Sequence, residues 1–271
     1  MAWPKLRIPK VWVSAMCVLG CLGLWGFAGI KQESRHCEQI LVRIMNDGGN
    51  QFLSATELRK EANMVNGHEF WLIGRPWHEI NLAEVERHIS KLDFVDRSRA
   101  WKDHSGILHL DVWQMEPFVR LMTYGNRDRY LDTKGFNYPV SESFTARVLI
   151  ADGPGVNVLL EKVARQGDFT DKRNPKAKVD PEAEALFNLL LKINTDQFLK
   201  PLIAQVTVSD NGEVTMYPQV GNQVIYFGKP EGVDNKVRKL QAFYEQIVAA
   251  RSWNKYRSVN LKFENQIICE Q

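Results

Sequence analysis

Histidine and glutamate side chains recur in the first half of the chain, where they could bind a metal ion. His68 is followed by Glu69, and His78 is followed by Glu79. Imidazole nitrogens and carboxylate oxygens both serve as metal ligands in proteins. The simpler interpretation is that these are exposed loop residues flanking an apolar hairpin. We therefore predict no metal site and no bound cofactor.

Other residues with catalytic potential also have simple structural interpretations. The sequence contains no G-x-S-x-G, H-E-x-x-H or P-loop motif. His88 falls on the polar side of a predicted helix, and Asp103 and His104 lie beside a predicted turn. A solvated surface explains all three residues. We predict that the protein is not an enzyme.

The cysteines have no spacing typical of a zinc site. The four cysteines are Cys17, Cys21, Cys37 and Cys269. The first two fall in an apolar run, where cysteine is an ordinary residue. Cys37 and Cys269 could pair in an oxidising compartment. They lie in different predicted domains, however, so we expect two separate free thiols.

Composition and charge indicate a globular protein without a nucleic-acid role. Of the 271 residues, 44% are hydrophobic, which is enough to bury a core. The 35 basic and 32 acidic residues leave a net charge of only +3. Nucleic-acid-binding proteins usually carry a concentrated basic surface. We predict no nucleic-acid partner.

The N-terminal region has the composition of a membrane anchor. Residues 11–30 carry no charge, and a helix of that length spans about 30 Å, the thickness of a hydrocarbon core. Lys5, Arg7 and Lys10 precede the run. We therefore predict a transmembrane helix at 11–30, which is the one segment in contact with membrane lipid. The positive-inside rule places residues 1–10 in the cytoplasm as a short tail and predicts that the rest of the chain is exported.

Two other interpretations of this region also export the remainder of the chain. In Gly26-Phe27-Ala28, the two small residues have the spacing of a signal-peptidase site, but the apolar run is longer than a signal peptide normally has. Residues 18–20 before Cys21 resemble a lipoprotein signal, but apolar rather than polar sequence follows that cysteine. An uncleaved anchor in the inner (plasma) membrane remains our prediction.

Residues 37–116 predict a small α+β domain of the order β-α-α-β-β. Alternating apolar residues at 37–46 indicate a strand. Ser54 and Asn81 each precede a helical pattern with glutamate three residues later, which is typical of a capped N-terminus. The turn at Ser105-Gly106 separates two further strands. Helices of this kind pack on one face of a sheet.

Residues 117–271 predict a second domain, a mixed β-sheet with packed helices. Asp180 followed by Pro181 predicts a helix start, and Asp234 is predicted to open the last helix. We predict strands around a Gly125-Asn126 turn, a short helix at 155–165, an exposed loop at 168–180, three strands at 203–228 and a last strand at Ser258–Cys269. Lys236, Arg238 and Lys239 are interpreted as a solvated face of the last helix.

Several segments resemble one family of bacterial division proteins. A β-α-α-β-β order after a single span resembles a POTRA domain. Glu116-Pro117 with Arg120, the stretch RYLDTKGFNYPV at 129–140 and the C-terminal stretch from Gly228 to Gln271 resemble the FtsQ (DivIB) family. The resemblance implies a non-enzymatic scaffold of the divisome at the division septum. Such a scaffold would link early and late division proteins, contact other divisome membrane proteins and regulate septum formation.

The resemblance also implies a partner-binding site at the C-terminus. Proteins of this family bind the FtsB/DivIC–FtsL coiled-coil pair by β-strand addition, in which main-chain hydrogen bonds give affinity. Carried onto this sequence, the partner-binding residues are Ser258, Asn260, Lys262, Phe263 and Asn265. Phe263 would anchor the partner and Lys262 would pair with a partner carboxylate. The alternative is that the strand is internal and Phe263 belongs to the core.

Two functions of other classes compete with this interpretation. An exported POTRA-type module could serve outer-membrane protein assembly. That role is typical of tandem POTRA domains or of a barrel with short alternating strands, and neither pattern occurs here. A membrane-anchored periplasmic hydrolase would need a polar pocket with perturbed titratable groups.

Overall fold

The computed structural model describes most of the chain in two compact units. The described residues are 18–21, 36–46, 49–65, 68–69, 72–123, 128–160, 180–248 and 255–271. The division between the units falls after Gln114. Each unit has its own hydrophobic core.

The predicted membrane helix lies almost entirely outside the described residues. Of residues 11–30, only 18–21 are described, and these are helical. Across the described ranges, no helix has both the length and the apolar character that a membrane crossing requires.

The first unit contains the predicted β-α-α-β-β order. Its elements are β1 (Gln39–Ile44), α1 (Ala55–Ala62), a small hairpin of β2 (Met64–Val65) and β3 (His68–Glu69), a 3-10 turn at Trp77–Glu79, α2 (Leu82–Ile89), β4 (Val95–Lys102) and β5 (Ile107–Gln114). Among the described residues, β1, β5 and β4 form a sheet in that order, parallel between β1 and β5 and antiparallel between β5 and β4.

The helix starts of this unit depend on local side-chain caps, as predicted. The Ser54 hydroxyl accepts a hydrogen bond from the Thr56 N–H at 3.3 Å. Oδ1 of Asn81 accepts one from the Glu84 N–H at the same distance. These caps satisfy amides that have no partner within the helix. Apolar faces of both helices then pack on Ile40 and Leu110 of the sheet.

Over its described residues, the second unit is a sheet of nine strands with helices packed on it. Its elements are β6 (Pro117–Leu121), β7 (Arg129–Asp132), β8 (Asn137–Pro139), β9 (Leu149–Asp152), a 3-10 turn at Pro154–Val156, α3 (Pro181–Thr195), α4 (Leu199–Leu202), β10 (Ile203–Val208), β11 (Val214–Pro218), β12 (Val224–Gly228), α5 (Val233–Ala242), a π-helical turn at Phe243–Val248, β13 (Ser258–Asn260) and β14 (Ile268–Glu270). The sheet order is β14-β13-β12-β11-β10-β9-β6-β7-β8.

Most local predictions for this unit agree with the structure where residues are described. The Asp180 carboxylate accepts hydrogen bonds from the amides of Glu182 and Ala183, so α3 starts as predicted. The turn predicted at Gly125-Asn126, the end of the short helix predicted at 155–165, and residues 168–179 of the predicted loop lie outside the described residues.

The predicted start of the last helix is wrong by one residue. α5 begins at Val233, and Gly232 is its N-cap, with a left-handed φ of 59°. Asp234 lies in the first turn instead. Glycine adopts this backbone conformation without the steric cost that other residues carry, which explains why Gly232 rather than Asp234 sets the boundary.

The predicted last strand at Ser258–Cys269 is also wrong, because the chain reverses within it. β13 ends at Asn260, and β14 returns antiparallel beside it, pairing Val259 with Cys269. Val259 and Leu261 are fully buried, but Phe263 is 46% exposed. The alternation of apolar residues therefore stops at the turn, and Phe263 does not belong to the core.

Candidate partner-binding site

The base of the candidate site is β13, which is joined to the sheet on both sides. It pairs in parallel with β12, where Ile225 is opposite Val259. The Val224 amide donates to the Arg257 carbonyl at 2.8 Å, and the Leu261 amide donates to the Tyr226 carbonyl at 2.9 Å. Since β14 takes the other side of β13, the main chain of Ser258–Asn260 is internal to the sheet.

A turn at Leu261–Asn265, here called the docking turn, follows β13. Oδ1 of Asn260 accepts a hydrogen bond from the Lys262 amide at 3.0 Å. Asparagine side chains that bond the main chain two residues later favour turns over strands. This local contact gives a physical reason for the end of the strand.

The predicted partner-binding residues divide into a buried and an exposed set. Ser258 is buried and Asn260 is half-buried, whereas Lys262, Phe263 and Asn265 are exposed on the docking turn. The structure thus brings three of the five residues together on one exposed turn. The other two lie in the strand that supports it.

The Lys262 side chain already has an intramolecular partner. Its Nζ lies 2.8 Å from Oε2 of Glu213, which belongs to the turn before β11. Its aliphatic stem lies over Gly228, where an added Cβ would come within 2.9 Å of Lys262 Cγ. A partner carboxylate that pairs with Lys262 would have to compete with Glu213.

Two side chains of α5 hold the docking turn from the other side. Lys239 Nζ donates to the Leu261 carbonyl at 3.0 Å and also to the Phe263 carbonyl. Nδ2 of Asn235 donates to the Glu264 carbonyl at 3.4 Å. Burial lowers the pKa of Lys239, while the nearby charge of Glu264 acts in the opposite direction.

The interpretation of this helix as a solvated basic face is therefore wrong for two of its three cations. Lys236 Nζ donates to the Lys229 carbonyl at 2.7 Å and lies 4.9 Å from the centre of the Phe227 ring. Burial lowers the pKa of Lys236 as well. Arg238 is exposed, as predicted.

The edge of the sheet at this end is β14. The Ser258 hydroxyl donates to Oε2 of Glu270 at 3.0 Å, which adds a side-chain contact to the pairing of β13 with β14. Within the described residues, no strand pairs with the outer side of β14. Ile268 of this strand is 39% exposed. An unpaired strand edge can accept a strand from another chain.

The histidine and cysteine side chains form no second candidate site in the described part of the chain. The side chains of His68 and Glu69 are outside it. His78 is largely exposed, 3.8 Å from Glu79. Among the residues described, no three histidine, cysteine or acidic side chains converge as a metal site would require. Cys37 and Cys269 are both free thiols.

Sequence reasoning did not find the three residues that hold the docking turn in place. Lys239, Asn235 and Glu213 lie between 22 and 49 residues from the positions they contact. The signal available in the sequence was the basic and polar content of the helix at 233–242. That content does not distinguish a solvated helix face from one that binds main-chain carbonyls.

Comparisons with known proteins agree with this two-unit arrangement. A POTRA-like domain model matches residues 35–113. The cell division protein FtsQ of Rhodothermus marinus is 24% identical to this chain over an alignment of 273 positions, which covers 98% of this chain and 88% of that protein. A model described as FtsQ/DivIB, C-terminal related, matches residues 116–270. Since that match alone spans more than half of the sequence, the chain belongs to the FtsQ/DivIB family.

Proposed function

We propose that this protein is a non-enzymatic scaffold of bacterial cell division, anchored in the inner membrane by residues 11–30. Membership of the FtsQ/DivIB family and the similarity to a cell division protein support the cellular role. The uncharged run of 20 residues behind a basic tail supports the anchor. Two exported domains, 37–116 and 117–271, are proposed on the basis of the compact units and family matches.

The proposed binding mode is addition of a partner strand to the outer edge of β14. The single observation that carries it is the outer edge of β14 at Ile268–Glu270, with which no strand pairs in the described part of the chain. The docking turn, with the exposed Phe263, precedes this strand in the sequence. Main-chain hydrogen bonds to β14 would give affinity, and the ring of Phe263 would fill an apolar pocket of the partner. The proposed partner is a coiled-coil pair of the FtsB/DivIC and FtsL type.

Roles for all five predicted residues follow from this arrangement. Phe263, Lys262 and Asn265 would contact the partner directly from the docking turn. Ser258 and Asn260 would support the site without contacting the partner. Ser258 donates a hydrogen bond to Glu270 of the edge strand, and Asn260 accepts one from the Lys262 amide of the turn. A partner carboxylate would bind Lys262 in place of Glu213.

The test is the affinity of the full chain, in lipid nanodiscs, for the purified coiled-coil pair. Phe263→Ala and Ile268→Asp should each weaken binding by about tenfold or more, because aromatic anchors and edge strands dominate such interfaces. The matched control is Phe136→Ala, since Phe136 is similarly exposed but lies after β7, next to β8 at the opposite edge of the sheet. Equal affinities for all variants would rule out this site.

The membrane anchor has a separate test. The full chain should remain in the membrane fraction after alkaline carbonate washing, and a chain lacking residues 1–30 should not. Protease added to the exported side of the membrane should digest the exported part and leave the anchor with its cytoplasmic tail. Release of an uncleaved full chain by carbonate would contradict the proposed anchor.

Two rival functions make different predictions in the same preparation. Cleavage of peptidoglycan by the purified chain would favour the hydrolase. Binding of unfolded outer-membrane proteins, with no affinity for the coiled-coil pair, would favour the assembly module.

A further inference from the structure

Lys239 makes an unusual use of a lysine side chain. Its ammonium group donates to two carbonyls of the docking turn, those of Leu261 and Phe263. An ammonium group has three donors and no acceptor, so most of its hydrogen-bonding capacity is spent inside the molecule. The Phe263 carbonyl, on the exposed part of the turn, could be satisfied by water instead. Lys239 therefore has a structural role, and it is not simply the solvated basic residue that the sequence suggests.

The position of these two carbonyls connects Lys239 to the proposed anchor. Leu261 is fully buried, whereas Phe263 projects from the surface. One ammonium group thus bonds both the buried start of the turn and the residue that carries the exposed ring. Asn235, one helical turn earlier on the same face of α5, holds the next carbonyl, that of Glu264.

We infer that Lys239 is a positioning residue that fixes the docking turn so that Phe263 is presented to the partner, an inference that rests on the proposed function. Fixing a turn before binding removes part of the entropy cost that association would otherwise carry. Lys239 does not need to touch the partner. Its effect passes through the main chain of residues 261–263.

The electrostatic setting is consistent with this role. Burial lowers the pKa of Lys239, and Glu264 of the docking turn partly offsets that effect. Hydrogen bonds from a charged donor are shorter and stronger than those between neutral groups. The charged ammonium group is thus suited to hold these two main-chain carbonyls.

The experiment compares three single variants of the full chain in lipid nanodiscs. Lys239→Met keeps the apolar stem and removes the donors, whereas Lys239→Arg keeps charge and donors. Arg238→Met is the matched control, because Arg238 is the adjacent exposed cation of α5. We expect Lys239→Met to weaken partner binding by about tenfold, Lys239→Arg to restore part of the affinity, and Arg238→Met to bind as the wild type does.

A double-mutant cycle separates positioning from general loss of stability. If Lys239 acts through Phe263, the double variant Lys239→Met/Phe263→Ala should bind no more weakly than Phe263→Ala alone. Additive losses would contradict the inference. Amide hydrogen exchange provides a readout without the partner, since exchange should accelerate at residues 262–265 in Lys239→Met while β10 and β11 keep their protection.

The outcomes also distinguish this inference from the proposed function. If Phe263→Ala weakens binding but Lys239→Met does not, only the positioning role is overturned. If Phe263→Ala leaves the affinity unchanged, the proposed site is wrong and the positioning role falls with it.

Discussion

The ammonium group of Lys262 lies 2.8 Å from the carboxylate of Glu213, which is 49 residues earlier in the chain. Both side chains are about one-third exposed, so the ion pair itself contributes little to folding, about 0.5 kcal/mol or less. Its position on the docking turn matters more. Glu213 forms an ion pair with Lys262, the cation to which the proposed partner carboxylate would bind.

Removal of the Glu213 charge should therefore strengthen partner binding. We expect Glu213→Gln to increase affinity by about two- to fivefold, because the partner no longer competes with an internal carboxylate. The measurement is titration calorimetry with the coiled-coil pair at low and high salt. The gain should shrink at high salt, where exposed charges are screened.

Two controls define the meaning of this result. Asp210→Asn removes a neighbouring exposed acidic residue of the same turn, and it should change affinity less than Glu213→Gln does. The double variant Lys262→Gln/Glu213→Gln should show no gain in affinity over Lys262→Gln alone. A gain that persists without Lys262 would mean that general charge, and not this pair, controls affinity.

Gly153 is predicted to be required by close packing as well as by its backbone conformation. Its φ is 93°, and an added Cβ would lie 2.3 Å from the Val208 carbonyl oxygen. Gly153→Ala should lower the free energy of unfolding by about 3 kcal/mol or more, because main chain must move to relieve the contact. Thermal unfolding of the full chain measures the loss.

Gly212 provides the matched control for Gly153. Its φ is also positive, at 76°, but an added Cβ would meet nothing within 4 Å. Gly212→Ala should therefore show only the conformational cost, about 1 kcal/mol. Equal losses for the two variants would show that the contact with Val208 contributes nothing.

Local signals predicted the starts of three helices, and they did not reveal the contacts that hold the docking turn. Ser54, Asn81 and Asp180 cap helices through amides two or three residues away, so the sequence contains the whole interaction. The alternation at Val259 and Leu261 also describes a real strand. It does not extend to Phe263, because the Asn260 side chain bonds the Lys262 amide and ends the strand. The contacts from Lys239 that hold the turn come from another element, and only the fold brings Lys239 to the turn.

Gln114 is predicted to be a main determinant of stability in the first unit. This side chain is buried, and its Oε1 accepts hydrogen bonds from the amides of Phe52 and Leu53. Its Nε2 donates to the carbonyls of Asn46 and Asn50. Gln114→Met, which has a similar volume, should destabilise this unit by about 2–4 kcal/mol, because it leaves these main-chain groups unsatisfied.

Gln39→Met is the comparison for that variant. Gln39 belongs to β1 of the same unit, but its side chain is exposed. The same chemical change should there cost less than about 0.5 kcal/mol. Chemical denaturation followed by tryptophan fluorescence would report both values. Similar costs at the two positions would contradict the role assigned to Gln114.

Asp111 is predicted to make the stability of the first unit depend on acidic pH. Its carboxylate is nearly buried and accepts hydrogen bonds from Arg43 Nε at 2.8 Å and Trp101 Nε1 at 3.0 Å. Burial alone would raise the pKa of Asp111, but the Arg43 and Trp101 hydrogen bonds outweigh burial and lower it. The folded state therefore binds fewer protons here than the unfolded state does, and this contribution is present above about pH 4 and lost as the pH falls through the lowered pKa.

The corresponding variant is Asp111→Asn, which keeps an acceptor for Trp101 but removes the charge opposite Arg43. We expect it to lower the free energy of unfolding by about 1 kcal/mol at neutral pH. The loss is modest because the Arg43 side chain is 49% exposed and solvent screens its ion pair with Asp111. The difference from the wild type should shrink as the pH falls below about 4, where Asp111 of the unfolded wild type becomes protonated, and should vanish below the lowered pKa of the folded state. Unfolding curves measured across this range check the prediction, and a difference that stays constant with pH would show that the Asp111 charge is not its cause.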